Sequence, residues 1–471
     1  MRVSDIIGLG RSALKFSVLP VLFILIAWGL AYKLIYKTIL HGKKNLPVKK
    51  AASCGVFLAV ILVIIYVTLL RGGYWGGAPS LIPFSSYQSA WYQFHPVEWR
   101  NLILNICMFV PFGFMLPAAS EKFRKPWRTY LAGFAFTLLI EMLQIVFKRG
   151  IFETDDLINN LLGTIIGYGL FSLIFAAVKR RFSGKILLLQ IPLLLTVLSF
   201  ALTFTAYYRK DLGNMIYENT SSHKMPVISV GEGVELSSEE TTGNVYRMKI
   251  ASVEETRLLA EKVFAAQGDT VDESRTDIYD ETALYYSREN ALSLSIDYKG
   301  MTVTYVDFDL KYPQDGSKFR NLAGAGEQRV REAVEKLGFT IPETAFLDAD
   351  REGEYFFEAE EEVPGEHYCT GIVRCELSEQ GEAAYLWYDI ITGEPYKQLP
   401  VLSSREAYDI LCSGEFYYEM GSVPNDAPLT VTGLELVYLA DSKGFYQPAY
   451  RFTLDNGRGE ELRIHIPALQ S

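Results

Sequence analysis

Cysteine and histidine are scarce in this chain, whose 471 residues contain five of each. No Cys-x-x-Cys pair and no His-Glu-x-x-His motif occurs, so the sequence predicts no metal site and no cofactor. Cys54 and Cys107 fall in apolar runs and are expected to be small core residues. Cys369, Cys375 and Cys412 lie in the more polar part of the chain. Either all three are free thiols or two of them form a single disulfide.

Charged residues are also few, at 21% of the chain, and they are unevenly distributed. Residues 1–206 contain 21 Lys or Arg and 7 Asp or Glu, a net charge of +14. The remaining residues contain 24 and 48 respectively, a net charge of −24. The split predicts two parts in two environments. The basic residues lie in short loops between apolar runs, so the sequence favours no nucleic-acid partner.

Apolar runs dominate the first part. A helix needs about 20 mostly apolar residues to cross a bilayer. Six runs approach that length, at 16–35, 51–70, 101–119, 130–147, 157–178 and 186–206. The sequence therefore predicts an α-helical membrane bundle of about six helices over 1–206, with membrane lipids as its surroundings.

The Lys and Arg residues of the connecting loops predict an orientation. They concentrate in three alternate loops, 33–50, 119–129 and 179–185. Such loops are typically cytoplasmic. We therefore expect a multi-pass protein of the cell membrane, with loops 71–100 and 148–156 and everything after 206 on the outer side.

The acidic part has the pattern of an α+β domain. We expect a linker over 207–245 and an extracytoplasmic domain over 246–471. Ser252-x-x-Glu255 and Ser403-x-x-Glu406 are capping boxes that predict helix starts, and a third helix is expected from about 327 to 337. Alternating runs predict strands at 292–298, 301–306, 384–390, 434–439 and 449–454. Two or three repeated modules of a helix with antiparallel strands are expected.

Polar residues gather near the outer ends of three consecutive predicted helices. Residues three or four apart share a helix face. We predict one outward-facing ligand-binding pocket, formed by Asn101, Asn105, Glu141, Gln144, Arg149, Asp155, Asp156 and Asn160. Glu141 would lie deepest, and an ionisable group inside a membrane segment indicates function.

Structural roles are open alternatives for several of these residues. Asp155 and Asp156 could cap the helix that follows them. Asn105 could join helices by hydrogen bonds, and a Glu141–Arg149 ion pair could hold the connecting loop. Gly163, with a second glycine four residues later, is typical of helices that pack closely.

The spacing of these residues resembles that of the VanZ-like family. The motifs are N-x3-N-x5-PFG from 101, E-x2-Q from 141, and R-x5-DD-x3-N-x2-G-x3-GY from 149, with LIPF at 81–84 as a lead-in. The resemblance covers about 80–170, within a core expected over 80–178. It implies a place in the Gram-positive cell envelope and an association with glycopeptide (teicoplanin) resistance.

The acidic part resembles a second group of proteins. WYDIITGEPYKQLPV (387–401) with SSREAYDILCSGEF (403–416) is similar to PepSY-type modules. GLELVYLADSKGFYQPAYRF (433–452) is similar to the end of YycI-type and YycH-type regulators. This resemblance implies repeated helix-plus-sheet modules and a role in binding other proteins.

Three functions follow as hypotheses. The first is a membrane protein that binds a polar ligand, such as a lipid-linked cell-wall precursor or a glycopeptide, and thereby confers antibiotic resistance. The second is an envelope sensor or regulator that binds an envelope protein through its acidic domain. The third is a membrane enzyme that uses buried carboxylates, and the sequence leaves the question of catalysis open.

Overall fold

The chain is described by a computed structural model over residues 48–70, 79–215, 219–222, 228–239, 241–279, 281–313, 319–351, 353–418, 428–457 and 461–470. It divides into two compact units, Met1–Asp211 and Leu212–Ser471. The boundary agrees with the change from basic to acidic composition. The helix expected at 16–35 lies outside the described residues.

The first unit is helical. Its α-helices are α1 (Val48–Ile65), α2 (Ser85–Gln93), α3 (Pro96–Ala119), α4 (Pro126–Phe147), α5 (Thr154–Lys179), α6 (Gly184–Leu188) and α7 (Ile191–Arg209). A π-helical turn, Tyr66–Leu70, continues α1, and a short 3-10 helix, Glu121–Phe123, precedes α4. The sequence pattern did not predict α2, which is short and weakly apolar.

Five stretches of the described residues are long and apolar enough to cross a membrane. They are Ala52–Leu70, Pro96–Ala119, Pro126–Phe147, Thr154–Lys179 and Gly184–Arg209. These correspond to five of the six predicted runs. The count of six is not confirmed, because the remaining run lies outside the described residues.

Glycines allow α3 and α5 to approach closely. A Cβ atom added to Gly163 would lie 2.1 Å from the carbonyl oxygen of Ile106, and one added to Gly167 would lie 2.1 Å from that of Val110. On the facing helix, a Cβ at Gly113 would lie 2.1 Å from the carbonyl oxygen of Thr164. Small residues at such positions let helix backbones touch. The close packing expected at Gly163 is therefore confirmed.

The second unit combines helices with strands. The helices are α8 (Val253–Ala266), α9 (Phe308–Lys311), α10 (Glu327–Lys336) and α11 (Ser404–Ser413). The strands are β1 (Asn219–Ser222), β2 (Ile228–Val230), β3 (Thr241–Met248), β4 (Asp277–Ile278), β5 (Thr282–Tyr286), β6 (Leu292–Asp297), β7 (Val303–Asp307), β8 (Phe346–Arg351), β9 (Glu354–Val363), β10 (His367–Leu377), β11 (Ala383–Val401), β12 (Glu415–Tyr418), β13 (Leu429–Ala440), β14 (Phe445–Asp455) and β15 (Glu461–Pro467). All of these strands belong to one sheet, and nearly all of the pairs are antiparallel.

The two largest hydrophobic clusters of the described residues lie on this sheet. One joins α8 and α10 to the strands around β5–β7 and β9–β11, and the other joins α11 to β13–β15. The 19-residue strand β11 pairs with β7, β10 and β3 and so connects the two regions. The division of this unit into two or three repeated modules stays a prediction.

Both predicted capping boxes are confirmed. The Ser252 hydroxyl accepts a hydrogen bond from the Glu255 backbone N–H, while the Glu255 carboxylate accepts one from the Ser252 backbone N–H at 2.8 Å. Ser403 and Glu406 make the same reciprocal pair at the start of α11. These bonds satisfy N–H groups that a helix start leaves without intrahelical partners.

The expectations for the linker and for the cysteines are both corrected by the structure. Part of the predicted linker contributes strands, since β1, β2 and the start of β3 lie within 207–245 and pair with other strands. All five cysteines are free thiols, so the alternative of a disulfide among the last three is wrong.

Asp389 on β11 makes the stability of this unit pH-dependent. Burial, with the nearby charge of Asp297, raises the pKa of Asp389 to about 6, against about 4 in an unfolded chain. The folded state therefore holds the proton more tightly, and this group's contribution to stability is lost as the pH rises from about 4 to 6. We expect Asp389→Asn to stabilise the domain above pH 6 and to have little effect below pH 4. Chemical unfolding of wild type and Asp389→Asn across this pH range measures the effect. A difference in the free energy of unfolding that does not change with pH would contradict the prediction.

Candidate functional site

The loop before α2 pairs with the loop before α5. The Ser80 N–H donates to the carbonyl oxygen of Phe152 at 2.8 Å, and the Thr154 N–H donates to the carbonyl oxygen of Ser80 at 3.0 Å. This short parallel bridge brings the LIPF segment and α2 beside the acidic start of α5.

Asp155 caps α2, a helix distant in sequence. Its carboxylate, only 1% exposed, accepts hydrogen bonds from the backbone N–H groups of Phe84 at 2.5 Å and Ser86 at 2.8 Å. Phe84 is the N-cap residue, has a left-handed backbone with φ 66°, and has no side-chain cap of its own. Asp155 therefore satisfies two N–H groups that would otherwise lack partners.

Tyr87 continues this contact toward the middle of α5. Its hydroxyl donates to the Oδ1 atom of Asn159. Burial, with the charge of Asp155, raises the pKa of Tyr87 to about 12, so the hydroxyl keeps its proton as a donor at neutral pH. Neither Tyr87 nor Asn159 is among the residues that the sequence pattern predicts for the site.

Asn105 and Asp156 link α3 to α5. The Asn105 Nδ2 atom donates to the Asp156 Oδ1 atom at 2.5 Å. The contact confirms that the polar faces of these two helices meet. It also fits the alternative in which Asn105 joins helices by a hydrogen bond.

Glu141 lies inside the helical unit. It is 1% exposed, and its Oε2 atom accepts a hydrogen bond from the Glu153 backbone N–H at 3.4 Å. This contact connects the inner part of α4 to the loop before α5. The alternative Glu141–Arg149 ion pair stays a prediction.

Several buried amide atoms around this cluster have no hydrogen-bond partner within the described residues. They are the Oε1 atom of Gln144, the Nδ2 atom of Asn159 and the Oδ1 atom of Asn160. Asn159 and Asn160 are 0% and 3% exposed, and Asn160 uses its other amide atom to donate to the Thr137 hydroxyl at 2.8 Å. Unpaired buried polar atoms are costly, so each indicates a missing partner or a functional role.

The remaining predicted residues lie farther from this contact network. Asn101 is exposed on α3. The Gln144 Nε2 atom donates to the Thr68 carbonyl oxygen at 3.4 Å, and the Arg149 backbone N–H donates to the Gln144 carbonyl oxygen at 2.9 Å where α4 ends. The contacts therefore connect Asn105 with Asp156 and Glu141 with the loop before Asp155. They give Asn101 no part in that network.

The chemistry of the cluster is that of hydrogen bonding. Glu141 and Asp156 supply carboxyl oxygens, and the three amides supply both donors and acceptors. Within the described residues, no group of three or more His, Cys, Asp or Glu is arranged to hold a metal ion.

The helices and this cluster define a class: a membrane protein whose packed helices enclose carboxyl and amide groups. Residues 56–175 match the model of the VanZ/LLP1 family, so this part of the chain is a VanZ-like domain. A curated relative, Protein VanZ of Enterococcus faecium, is 27% identical over 105 residues. That match covers 21% of this chain and 62% of the relative, so the chain spans less than two thirds of the relative's length.

Among solved structures, the C-terminal domain of Bacillus megaterium YpeB matches 47% of this chain and 95% of its own length, with 12% identity and a TM-score of 0.23.

Proposed function

We propose that this chain is a multi-pass protein of the cell membrane whose VanZ-like domain binds a polar ligand at the cluster around Glu141 and Asp156. Through this binding it confers glycopeptide (teicoplanin) resistance. The ligand class is a lipid-linked cell-wall precursor or the glycopeptide itself, because both offer the hydroxyl and amide groups that carboxyl and amide side chains bind.

The observation that carries this proposal is the combination of one buried and one half-buried carboxyl group with unpartnered buried amides. Glu141 is buried and Asp156 is half-buried among apolar helices, where an ionisable group is costly and usually functional. Asn159 and Asn160 each keep one buried amide atom without a partner in the described chain. A ligand that reaches them would supply the missing hydrogen bonds.

The orientation supports access from the outer side. The three Lys- and Arg-rich loops at 33–50, 119–129 and 179–185 favour the cytoplasm, which directs the loop before α5 outward. The same rule directs the acidic second unit outward. The resemblance to the VanZ-like family implies a place in the cell envelope, which agrees with access from that side.

Teicoplanin and vancomycin susceptibility of a sensitive Gram-positive host tests which unit acts. The host expresses the full chain or a version truncated after Arg209, at equal membrane levels. We expect both versions to protect, because the proposed cluster lies entirely in the first unit. Protection by the full chain alone would favour the sensor or regulator that acts through the second unit. No protection by either version would reject the resistance role.

A further inference from the structure

A cavity lies toward the opposite end of α5 from the polar cluster. It has a volume of about 550 Å³ and is bordered by the ends of α5 and α6 and by the loop before α4. Three cations and several apolar groups line it, among them Arg124, Lys179, Arg181, Phe171, Phe175 and Ile186. None of these lining residues is acidic. Along α5, the lining residues from Tyr168 to Lys179 lie about 20 to 36 Å beyond Asp155.

The backbone at the end of α5 turns its cations back toward the helix. Arg180 adopts a left-handed conformation, with φ 52°. The Arg181 N–H then donates to the carbonyl oxygen of Ala176 at 2.9 Å, and the Arg180 N–H donates to that of Ala177 at 3.1 Å. This pair of bonds is a Schellman motif. It holds Lys179 and Arg181 on either side of the turn, both on the cavity wall.

The third cation is fixed from the other wall. The Arg124 guanidinium lies 4.9 Å from the centre of the Phe175 ring, and the Arg124 carbonyl oxygen accepts a hydrogen bond from the Tyr168 hydroxyl at 2.5 Å. Glu121 pairs with Arg124 at 2.9 Å, but both side chains are exposed, so the pair neutralises it weakly. Within the described residues, Lys179 and Arg181 form no ion pair. Two positive charges are therefore left uncompensated at one cavity.

Loops on the cytoplasmic side of a membrane are generally rich in Lys and Arg. This rule explains how many cations lie here, but it does not explain why three of them line the same cavity. The apolar wall formed by Phe171, Phe175 and Ile186 adds a second requirement, because a small anion alone would leave it in contact with water. A phosphate attached to acyl chains would bind the cations and cover the apolar wall. The cavity also lies at the ends of spanning helices, where lipid headgroups lie.

We propose that this cavity binds the phosphate headgroup of an anionic phospholipid. Lys179, Arg181 and Arg124 bind the phosphate, and the aromatic wall contacts the upper part of an acyl chain. The site is separate from the proposed ligand cluster, and it stands whether or not that cluster binds a glycopeptide.

Native mass spectrometry of the purified full chain in detergent tests this proposal. The chain is titrated separately with phosphatidylglycerol, phosphatidylcholine and inorganic phosphate. We expect one phosphatidylglycerol to bind more tightly than the other two. The double variant Lys179→Gln/Arg181→Gln should weaken this binding by roughly 10- to 30-fold. The matched control Lys122→Gln/Lys125→Gln removes the same charge from the neighbouring loop but not from the cavity wall, and it should change binding less than about twofold.

A second variant distinguishes a loss of lipid binding from a loss of folding. Ser172 lines the cavity, so Ser172→Phe keeps every charge and narrows the space against the apolar wall. It should also weaken phosphatidylglycerol binding while the thermal unfolding midpoint stays near that of the wild type. Equal weakening by both double variants, or full binding by Ser172→Phe, would overturn the proposal. Binding of inorganic phosphate as tight as that of phosphatidylglycerol would show a free-phosphate site and would overturn it too.

Discussion

Gly163→Leu is expected to prevent α3 and α5 from packing together. The first atom of the new side chain would lie 2.1 Å from the Ile106 carbonyl oxygen and 3.1 Å from the Phe109 Cβ atom. Backbone atoms cannot move aside as a flexible side chain can. Overpacking commonly costs about 1–3 kcal/mol, and a backbone clash in the middle of two long helices should exceed that range.

The measurement is the fraction of full-length protein that elutes as a single species after detergent extraction, together with its thermal unfolding midpoint. Gly184→Leu is the matched control, because no atom lies within 4 Å of a Cβ added there. We expect the control to behave as wild type and Gly163→Leu to be largely lost. A folded Gly163→Leu protein with an unchanged midpoint would refute the tight α3–α5 packing.

Asp155→Ala is expected to release α2 from the start of α5. The change leaves the Phe84 and Ser86 N–H groups without their charged acceptor. Hydrogen bonds to a charged group contribute about 1.5–3 kcal/mol each, so the loss should approach about 3–5 kcal/mol. The Tyr87 contact with Asn159 should weaken with it, because α2 carries Tyr87.

Limited proteolysis between residues 79 and 95, combined with thermal unfolding, measures this release. Glu153→Gln is the control, because Glu153 contacts α2 through a single hydrogen bond from the Ser86 hydroxyl, at 3.1 Å. We expect rapid cleavage in Asp155→Ala and wild-type resistance in the control. A stable, protease-resistant Asp155→Ala protein that no longer supports function would instead make Asp155 a ligand residue, as the sequence predicted.

Sequence periodicity predicted the elements that long-range contacts do not alter. The apolar runs gave the described spanning helices to within a few residues, and α3 begins at Pro96 rather than 101 because His95 and proline start it earlier. Local hydrogen-bond patterns were equally predictable from the sequence, as the capping boxes of α8 and α11 demonstrate. The single sheet of the second unit depends on the pairing of distant strands, which local patterns do not encode.

The candidate site was predictable in part for the same reason. Facing polar stripes indicated that Asn105 and Asp156 would meet. The role of Asp155 could not be predicted, because its partners are backbone N–H groups about 70 residues away and leave no mark in the side-chain pattern. Tyr87 was missed because α2 has no apolar periodicity, although Asn159, its partner, directly precedes a predicted site residue.

The most direct test of the central claim is teicoplanin susceptibility of a sensitive Gram-positive host that expresses Glu141→Gln or Asp156→Asn. Both changes keep the shape of the side chain and remove its carboxylate, so the helices should still insert and pack. Leu139→Ala on the exposed face of α4 is the control. We predict that wild type and Leu139→Ala protect, whereas Glu141→Gln and Asp156→Asn return susceptibility to that of the host without the protein, at equal membrane levels. Full protection by both carboxyl variants would contradict a ligand site at this cluster.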